Sequence, residues 1–485
     1  MHIIHIASEL APIAKAGGLG DVVYGLSKEL LRIGNQVQII IPKYDCIQYN
    51  LLQNLEVYYR DLWSFDGPYR YNNTIWTAQI EGIQVFLIEP HHQNYFFSRG
   101  TIYGCPDDID RFLYFSRTAM EFLFKAGLFP DVLHIHDWPT AVIPILYKDM
   151  YLSLGFHPCK TLLTLHNLEH QGRCETKNLS NIGLRGEDYL APHKLQDPNH
   201  PHLLNLLKGG ILYAESLTTV SPSYEKEIKT KAGGHGLEIW LKQHQNKIKG
   251  VLNGVDEDFW NPAVDPYLIK QFPSHPPITK EKWILIEQGK AANKKHLRNL
   301  FHLEDKPVPL VACITRLVLQ KGPFLIEKAF RHILASGAQC IILGSVFSQD
   351  IQDLFLALQA EFANSSQGAI ILNYNESLAH LIYAASDLCI IPSLFEPCGL
   401  SQMIALRYSS LPIVRKTGGL GDTIFDQENG FVFSQPTHEE FHKTLDRALK
   451  LYKEKPKEWK NLVLKGLSKD FSWKTAAQEY LNQYR

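Results

Sequence analysis

The chain has 485 residues, of which 45% are hydrophobic and 20% charged, and its formal net charge is −1. This composition excludes wholesale disorder. Neutrality argues against sequence-independent nucleic-acid binding, which needs surplus cations, and no polybasic run is present to hold an anionic membrane. No window reaches the ~18 consecutive apolar residues of a membrane helix. The opening MHIIHIASEL lacks the basic and apolar regions of a signal peptide. None of the eight cysteines forms a CxxC pair. The expectation is a cytoplasmic protein with reduced thiols.

In chain order, apolar runs predict strands at Ile3–Ala7, Val37–Ile41, Gln84–Ile88, Val132–Ile135, Thr161–Leu165 and Leu217–Val220. Helical spacing falls between several of them, at Leu19–Ile33, Phe112–Ala126 and Leu203–Ala214. After Lys249–Asn253 the rhythm restarts. Strands are expected at Leu310–Thr315, Gln339–Leu343, Ala369–Leu372, Leu388–Pro392 and Leu411–Val414. Helices fit Pro323–Ser336, Gln349–Phe362, Ser377–Ala385, Leu400–Tyr408 and His438–Tyr452. Strands that are apolar at nearly every position are buried on both faces, which implies parallel sheets covered by helices. Two such blocks predict an α/β protein of two doubly wound, Rossmann-like domains. The expected division is residues 1–248, residues 249–468, and a tail of residues 469–485. Ligands of such folds lie beyond the carboxyl ends of the strands, and two facing domains would enclose a central cleft.

The segment KAGGLGD at Lys15–Asp21 returns as KTGGLGD at Lys416–Asp422, identical at six of seven positions. Each copy follows an expected strand and opens an expected helix. Glycine permits close backbone approach, and a helix start offers free N–H groups to an anion. Two similar tight turns are the plainer explanation; two loops serving one ligand are the sharper one. Neither is a dinucleotide fingerprint, because the third glycine of GxGxxG falls on Val23 or Ile424.

Three further segments carry chemistry. Arg316 and Lys321, in TRLVLQKG, follow a strand and suit a diphosphate, although a solvated basic turn would look the same. Glu396, in SLFEPCGLSQ, stands between a strand and a helix, either above a binding edge or as a capping carboxylate. His134 and His136 alternate on VLHIHD and therefore share a face. Their spacing suggests metal ligands, but Asp137-Trp138-Pro139 supplies no further ligand at a metal-site interval.

Taken together, the segments resemble the bacterial glycogen and plant starch synthases that use ADP-glucose. Nine motifs occur in order over nearly the whole chain: SEL-P-KAGGLGDV from Ser8, HIHDWPTA from His134, TLHNLEHQG from Thr164, LKGGILYAESLTTVSPSYEKEI from Leu207, LNGVDEDFWNP from Leu252, TRLVLQKG from Thr315, YNESLAHLIYAASD from Tyr374, SLFEPCGLSQMIALRY from Ser393 and LPIVRKTGGLGDT from Leu411. The resemblance implies a GT-B glycosyltransferase that moves glucose, with retention, from ADP-glucose to the nonreducing end of an α-1,4-glucan. It implies no metal and no cofactor, and its partners are glycogen or another glucan primer and the nucleotide sugar.

Carried over by position, the resemblance makes Glu396, His136, Arg316 and Lys321 catalytic. Arg316 and Lys321 would hold the diphosphate, and His136 would contact the transferred glucose. Glu396 would bind glucose hydroxyls or stabilise positive charge at the anomeric carbon. Lys15, Gly17, Gly18, Asp21, Asn253, Tyr374, Leu400, Ser401, Gly418 and Gly419 would serve the nucleotide sugar, with Tyr374 stacked on the base. Glu9 and Asn167 would line the acceptor side. Ala16 stands where the family carries Thr, while Thr315 and Ser401 keep hydroxyls at exchanged positions. The competing expectations are an α-glucan phosphorylase, a synthase preferring UDP-glucose, and a non-enzymatic glucan-binding protein.

Overall fold

The computed structural model describes residues 1–485, which divide into two units, Met1–Gly254 with Trp473–Arg485, and Val255–Ser472. The first unit holds a nine-stranded sheet in the order Ile248–Gly250, Ser216–Thr219, Lys160–Leu165, Val132–His136, His2–Ile6, Gln36–Pro42, Ile83–Pro90, Tyr69–Ile80 and Gln53–Asp66. The first seven are parallel, and the last two add an antiparallel hairpin. All of the parallel strands except Ile248–Gly250 are the expected apolar runs, buried along almost their whole length. The hairpin is an addition that apolar runs do not announce. Gln53–Asp66 is an edge strand with most positions exposed, and its pairing with Tyr69–Ile80 is interrupted by register shifts. Asp66-Gly67 at its turn is the one local signal for it.

The second unit holds a six-stranded, all-parallel sheet in the order Gly368–Ile371, Gln339–Leu343, Leu310–Ile314, Leu388–Ile391, Leu411–Arg415 and Phe431–Phe433. Helices Pro323–Ala335, Gln349–Glu361, Glu376–Ala385 and Ser401–Arg407 form the crossovers. The helix Lys280–Leu300 lies outside the expected elements. Its buried positions are Ile286, Gly289, Asn293, Leu297 and Arg298, so its inward stripe is narrow and partly polar and escapes an apolar-period reading.

The unit boundaries differ from the expected ones for physical reasons. Ile248–Gly250 pairs with Ser216–Thr219, so the expected boundary at residue 248 would cut an edge strand from its sheet. Residues 469–472 stay with the second unit, where Lys469 pairs with Glu428 and the Val255 amide donates to the Phe471 carbonyl at 2.8 Å. The terminal helix Trp473–Tyr484 belongs to the first unit. There Trp473, Ala477, Tyr480 and Tyr484 join Ile3, Val22, Leu26 and Val132 in one core. Gly25 allows this docking, because a Cβ at that position would overlap the Trp473 indole.

Candidate active site

In each sheet the strand order reverses direction at one place, and the chemistry-bearing residues collect there. In the second unit the reversal lies between Leu310–Ile314 and Leu388–Ile391. Crossovers leave to opposite sides at such a point and open a crevice at the strands' carboxyl ends. Arg316 and Lys321 follow the first of these strands, Ser393 and Glu396 the second, and Gly418 and Gly419 the neighbouring Leu411–Arg415.

The Lys321 Nζ donates to Glu396 Oε2 at 2.5 Å, and Ser393 Oγ donates to the same oxygen at 2.9 Å. Both charged side chains are largely buried, with 17% and 7% of their surfaces exposed. Such a pair is held by mutual attraction at reduced dielectric, and removal of either partner leaves an uncompensated charge. Arg316, on the same loop as Lys321, is exposed. Leu400 and Ser401 are half-buried at the start of helix Ser401–Arg407. Tyr374 is 43% exposed and stands further along the same carboxyl edge, after Gly368–Ile371. Gly418 and Gly419 press onto the loop that carries Glu396. Gly418 has φ 43°, and a Cβ there would overlap the Glu396 carbonyl, while the Gly419 amide donates to that carbonyl at 3.2 Å.

In the first unit the reversal lies between His2–Ile6 and Val132–His136. The loop after His2–Ile6 carries Glu9 and Lys15–Gly18. The Glu9 carboxylate is 3% exposed as a residue and accepts from the Ala16 and Gly17 amides, each at 2.7 Å, and from the Tyr103 hydroxyl at 2.8 Å. Glu9, expected on the acceptor side, thus organises the glycine loop from within. Lys15 pairs with Asp21 at 2.9 Å across the start of helix Gly18–Arg32. A Cβ on Gly18 would meet nothing within 4 Å. Asn253 is buried, and its Oδ1 has no protein donor.

His136 has no exposed surface. Its Nε2 is hydrogen-bonded to His5 Nδ1 and its Nδ1 to His166 Nε2, both at 3.1 Å. Both ring nitrogens are thus engaged within the protein, and the neighbouring His166 and Asn167 are half-buried. Burial lowers His5 and His166 to about 3 and pushes His134 and His136 well below the usual imidazole range, so the network is uncharged at neutral pH. His134 is engaged by Tyr484 at 2.8 Å and Thr164 at 2.6 Å. Ring nitrogens of His5, His134 and His136 lie within 4.8 Å of one another, a metal-like grouping, but the His134 and His136 rings stack at 4.3 Å rather than converge.

Asp137, directly after His136, has φ 54°, which is rare for a non-glycine residue and marks local strain. Its carboxylate accepts from the His166 amide at 2.6 Å and thereby holds the segment bearing Asn167. Burial pushes its pKa up to about 8, outweighing hydrogen bonds from the His166 and Asn167 amides, although the residue as a whole is only half-buried. His5, Tyr103, His166 and Asp137 were not singled out in the sequence. His5 faces His134 only through the parallel register of two strands 129 residues apart, which no local pattern encodes.

Two parallel, doubly wound units with sites at their switch points define a GT-B glycosyltransferase. The family models for "Starch synthase catalytic domain" and "Glycosyl transferases group 1" match residues 2–243 and 295–463. A glycogen synthase of Protochlamydia amoebophila is 48% identical over 100% of this chain and 99% of its own, and glycogen synthase 2 of Methylococcus capsulatus is 42% identical over 99% of both. The catalytic domain of Arabidopsis thaliana starch synthase IV, bound to ADP and acarbose, superposes with a TM-score of 0.96 at 44% identity, covering 100% of this chain and 98% of that one. The chain belongs to the glycogen and starch synthase family and is a glycosyltransferase acting on α-glucans. Sucrose-phosphate synthase of Thermosynechococcus elongatus, 16% identical with a TM-score of 0.64, shares the fold. No helix is long and apolar enough to cross a membrane.

Proposed function

We propose that the protein transfers glucose from ADP-glucose to the nonreducing end of an α-1,4-glucan, retaining the α configuration and releasing ADP. The observation that carries this reading is the Lys321–Glu396 pair at the switch point of the second sheet, with Arg316 on the same strand-end loop as Lys321. Cleavage of the C1–O bond builds negative charge on the β-phosphate, and preorganised cations lower that barrier. Lys321 has three N–H donors, so it can hold Glu396 and a phosphate oxygen together, while Arg316 grips the diphosphate as a fork. Glu396 then faces the sugar, where its carboxylate accepts from hydroxyls or offsets charge at the anomeric carbon.

Leu400 and Ser401 add donors to the phosphates, Tyr374 carries the base, and Gly418 and Gly419 hold the Glu396 loop. From the first unit, Lys15, Gly17, Gly18, Asp21 and Asn253 are assigned to the nucleotide sugar and Asn167 to the acceptor. His136 acts by orienting His166, and Glu9 by orienting the glycine loop. The cations neutralise the diphosphate, so the mechanism needs neither metal nor organic cofactor. The acceptor hydroxyl attacks on the leaving group's own face and gives its proton to a phosphate oxygen. The starch synthase structure that holds ADP supports adenine as the base. A cytoplasmic location suits eight cysteines that are all free thiols.

The test is ADP release from ADP-glucose with glycogen present, with UDP-glucose in parallel, and digestion of the product by an α-1,4-specific glucosidase. Equal or better turnover with UDP-glucose overturns the donor assignment. Phosphate-dependent release of glucose 1-phosphate, with a pyridoxal phosphate absorbance band, indicates a phosphorylase. Glucan binding without release from either donor indicates a binding protein.

A further inference from the structure

Behind Tyr374 lies a chain of polar groups that the transfer reaction does not use. The Tyr374 hydroxyl donates to Glu376 Oε2 at 3.0 Å. The other oxygen, Glu376 Oε1, lies 3.9 Å from His380 Nε2. On its far side His380 Nδ1 is hydrogen-bonded to Asp265 Oδ2 at 2.7 Å, and the Tyr408 hydroxyl donates to the same oxygen at 2.5 Å. His380, Asp265 and Tyr408 are all buried, and Trp260 stacks on the His380 ring at 4.1 Å with planes 13° apart. Burial opposes ionisation of Asp265, but hydrogen bonds from His380 and Tyr408 outweigh it and keep the carboxyl below the usual range. Glu376 is also fixed through its backbone. It is the first residue of helix Glu376–Ala385, which Asn375 caps by accepting from the Leu378 amide at 2.9 Å.

The carboxylate is thus tied to the Tyr374 hydroxyl and to a capped helix start, while 38% of its side chain stays exposed beside the exposed Tyr374 ring. An ionised carboxylate only accepts hydrogen bonds, and two oxygens offer about four lone-pair sites. A base stacked on Tyr374 brings one edge toward these oxygens. An exocyclic amine at that edge gains a charge-assisted hydrogen bond, whereas a carbonyl there sets oxygen against oxygen.

We propose that Glu376 is a specificity-determining residue for the donor, selecting a base with an exocyclic amine over one with a carbonyl at the same position. The inference rests on the proposed role of Tyr374 as the base platform. The Tyr374 hydroxyl and the Asn375-capped helix start hold the carboxylate in place.

The experiment compares ADP with inosine diphosphate, which replaces the amine with a carbonyl and places a hydrogen on the neighbouring ring nitrogen, in calorimetric titrations of the wild type and Glu376→Gln. The wild type is expected to favour ADP at least about tenfold, the scale of one charge-assisted hydrogen bond. A glutamine amide accepts from an amine or donates to a carbonyl, so Glu376→Gln should bring the two ligands within about threefold of each other. With ADP-glucose and UDP-glucose as donors, the same variant should lower the ratio of kcat/KM, mainly through KM. Equal weakening of both diphosphates, or wild-type indifference to the base, overturns the inference. A wild type that transfers from ADP-glucose while Glu376→Gln keeps its donor ratio overturns the inference alone. A wild type that transfers from neither donor removes the functional reading beneath it.

Discussion

The two GGLGD loops are nearly identical in sequence and opposite in structure. In the first, the Glu9 carboxylate gathers the Ala16 and Gly17 amides, and the space over Gly18 is open. In the second, Gly418 and Gly419 lie against the Glu396 and Cys398 carbonyls with no room for a side chain. The first copy also opens a helix of 15 residues and the second a helix of 6. The same seven-residue pattern therefore leaves open space in one unit and seats a charged loop in the other. Short glycine motifs encode a tight turn after a strand, and the surrounding fold decides what the absent side chain makes room for.

The largest expected effect tests what the second loop supports. Glu396→Ala strips Lys321 of its partner and removes a group from the reacting centre, and turnover should fall at least about a hundredfold. Stability should drop by about 1–3 kcal/mol, the range for losing a charged hydrogen bond. Activity within tenfold of wild type would remove Glu396 from the chemistry. Next, Gly418→Ala should cost about 1–3 kcal/mol in denaturant unfolding, because it combines a left-handed φ with an overlap. Turnover should fall with it as the Glu396 loop shifts. Gly18→Ala should behave in the opposite way. Its Cβ meets no protein atom, and alanine favours the helix by up to about 1 kcal/mol, so stability should hold or rise while ADP affinity weakens. If both variants destabilise equally, the contrast between the loops is wrong.

The smallest effect concerns Asp137. Its carboxyl, ordinarily near 3.8, is raised to about 8 in the folded chain. The folded state therefore holds the proton more tightly than the unfolded chain. This contribution to stability is complete below about pH 4 and is lost as pH rises through 8. Asp137→Asn keeps an oxygen for the His166 amide and tolerates positive φ, so its melting temperature should vary less across that window. An unchanged slope would show that Asp137 is not the titrating group.

Most of the parallel framework was legible in the sequence. Buried parallel strands are apolar at consecutive positions, and Gln339–Leu343 coincides with its expected bounds. The loops carrying Arg316, Lys321 and Glu396 were legible too, because each follows directly from the end of such a strand. Less visible were elements that bury only part of a face, such as the hairpin Gln53–Asp66 and Tyr69–Ile80, where exposed and buried residues mix. The burial of His136 is not visible in the sequence, because exposure depends on what covers a strand end. His5 and His166 come from other strands to occupy its two nitrogens.

Composition, apolar periodicity and strand-end motifs by themselves determined two doubly wound sheets, the glycine turns and the strand-end places of Arg316, Lys321 and Glu396. Those features depend on residues close in sequence. Tertiary structure alone decided that Lys321 reaches Glu396, that Gly418 makes room for the Glu396 carbonyl, and that Asp265 and Tyr408 close around His380. Each of these depends on which segments pack together and in what register, and so on contacts between residues that local sequence does not link.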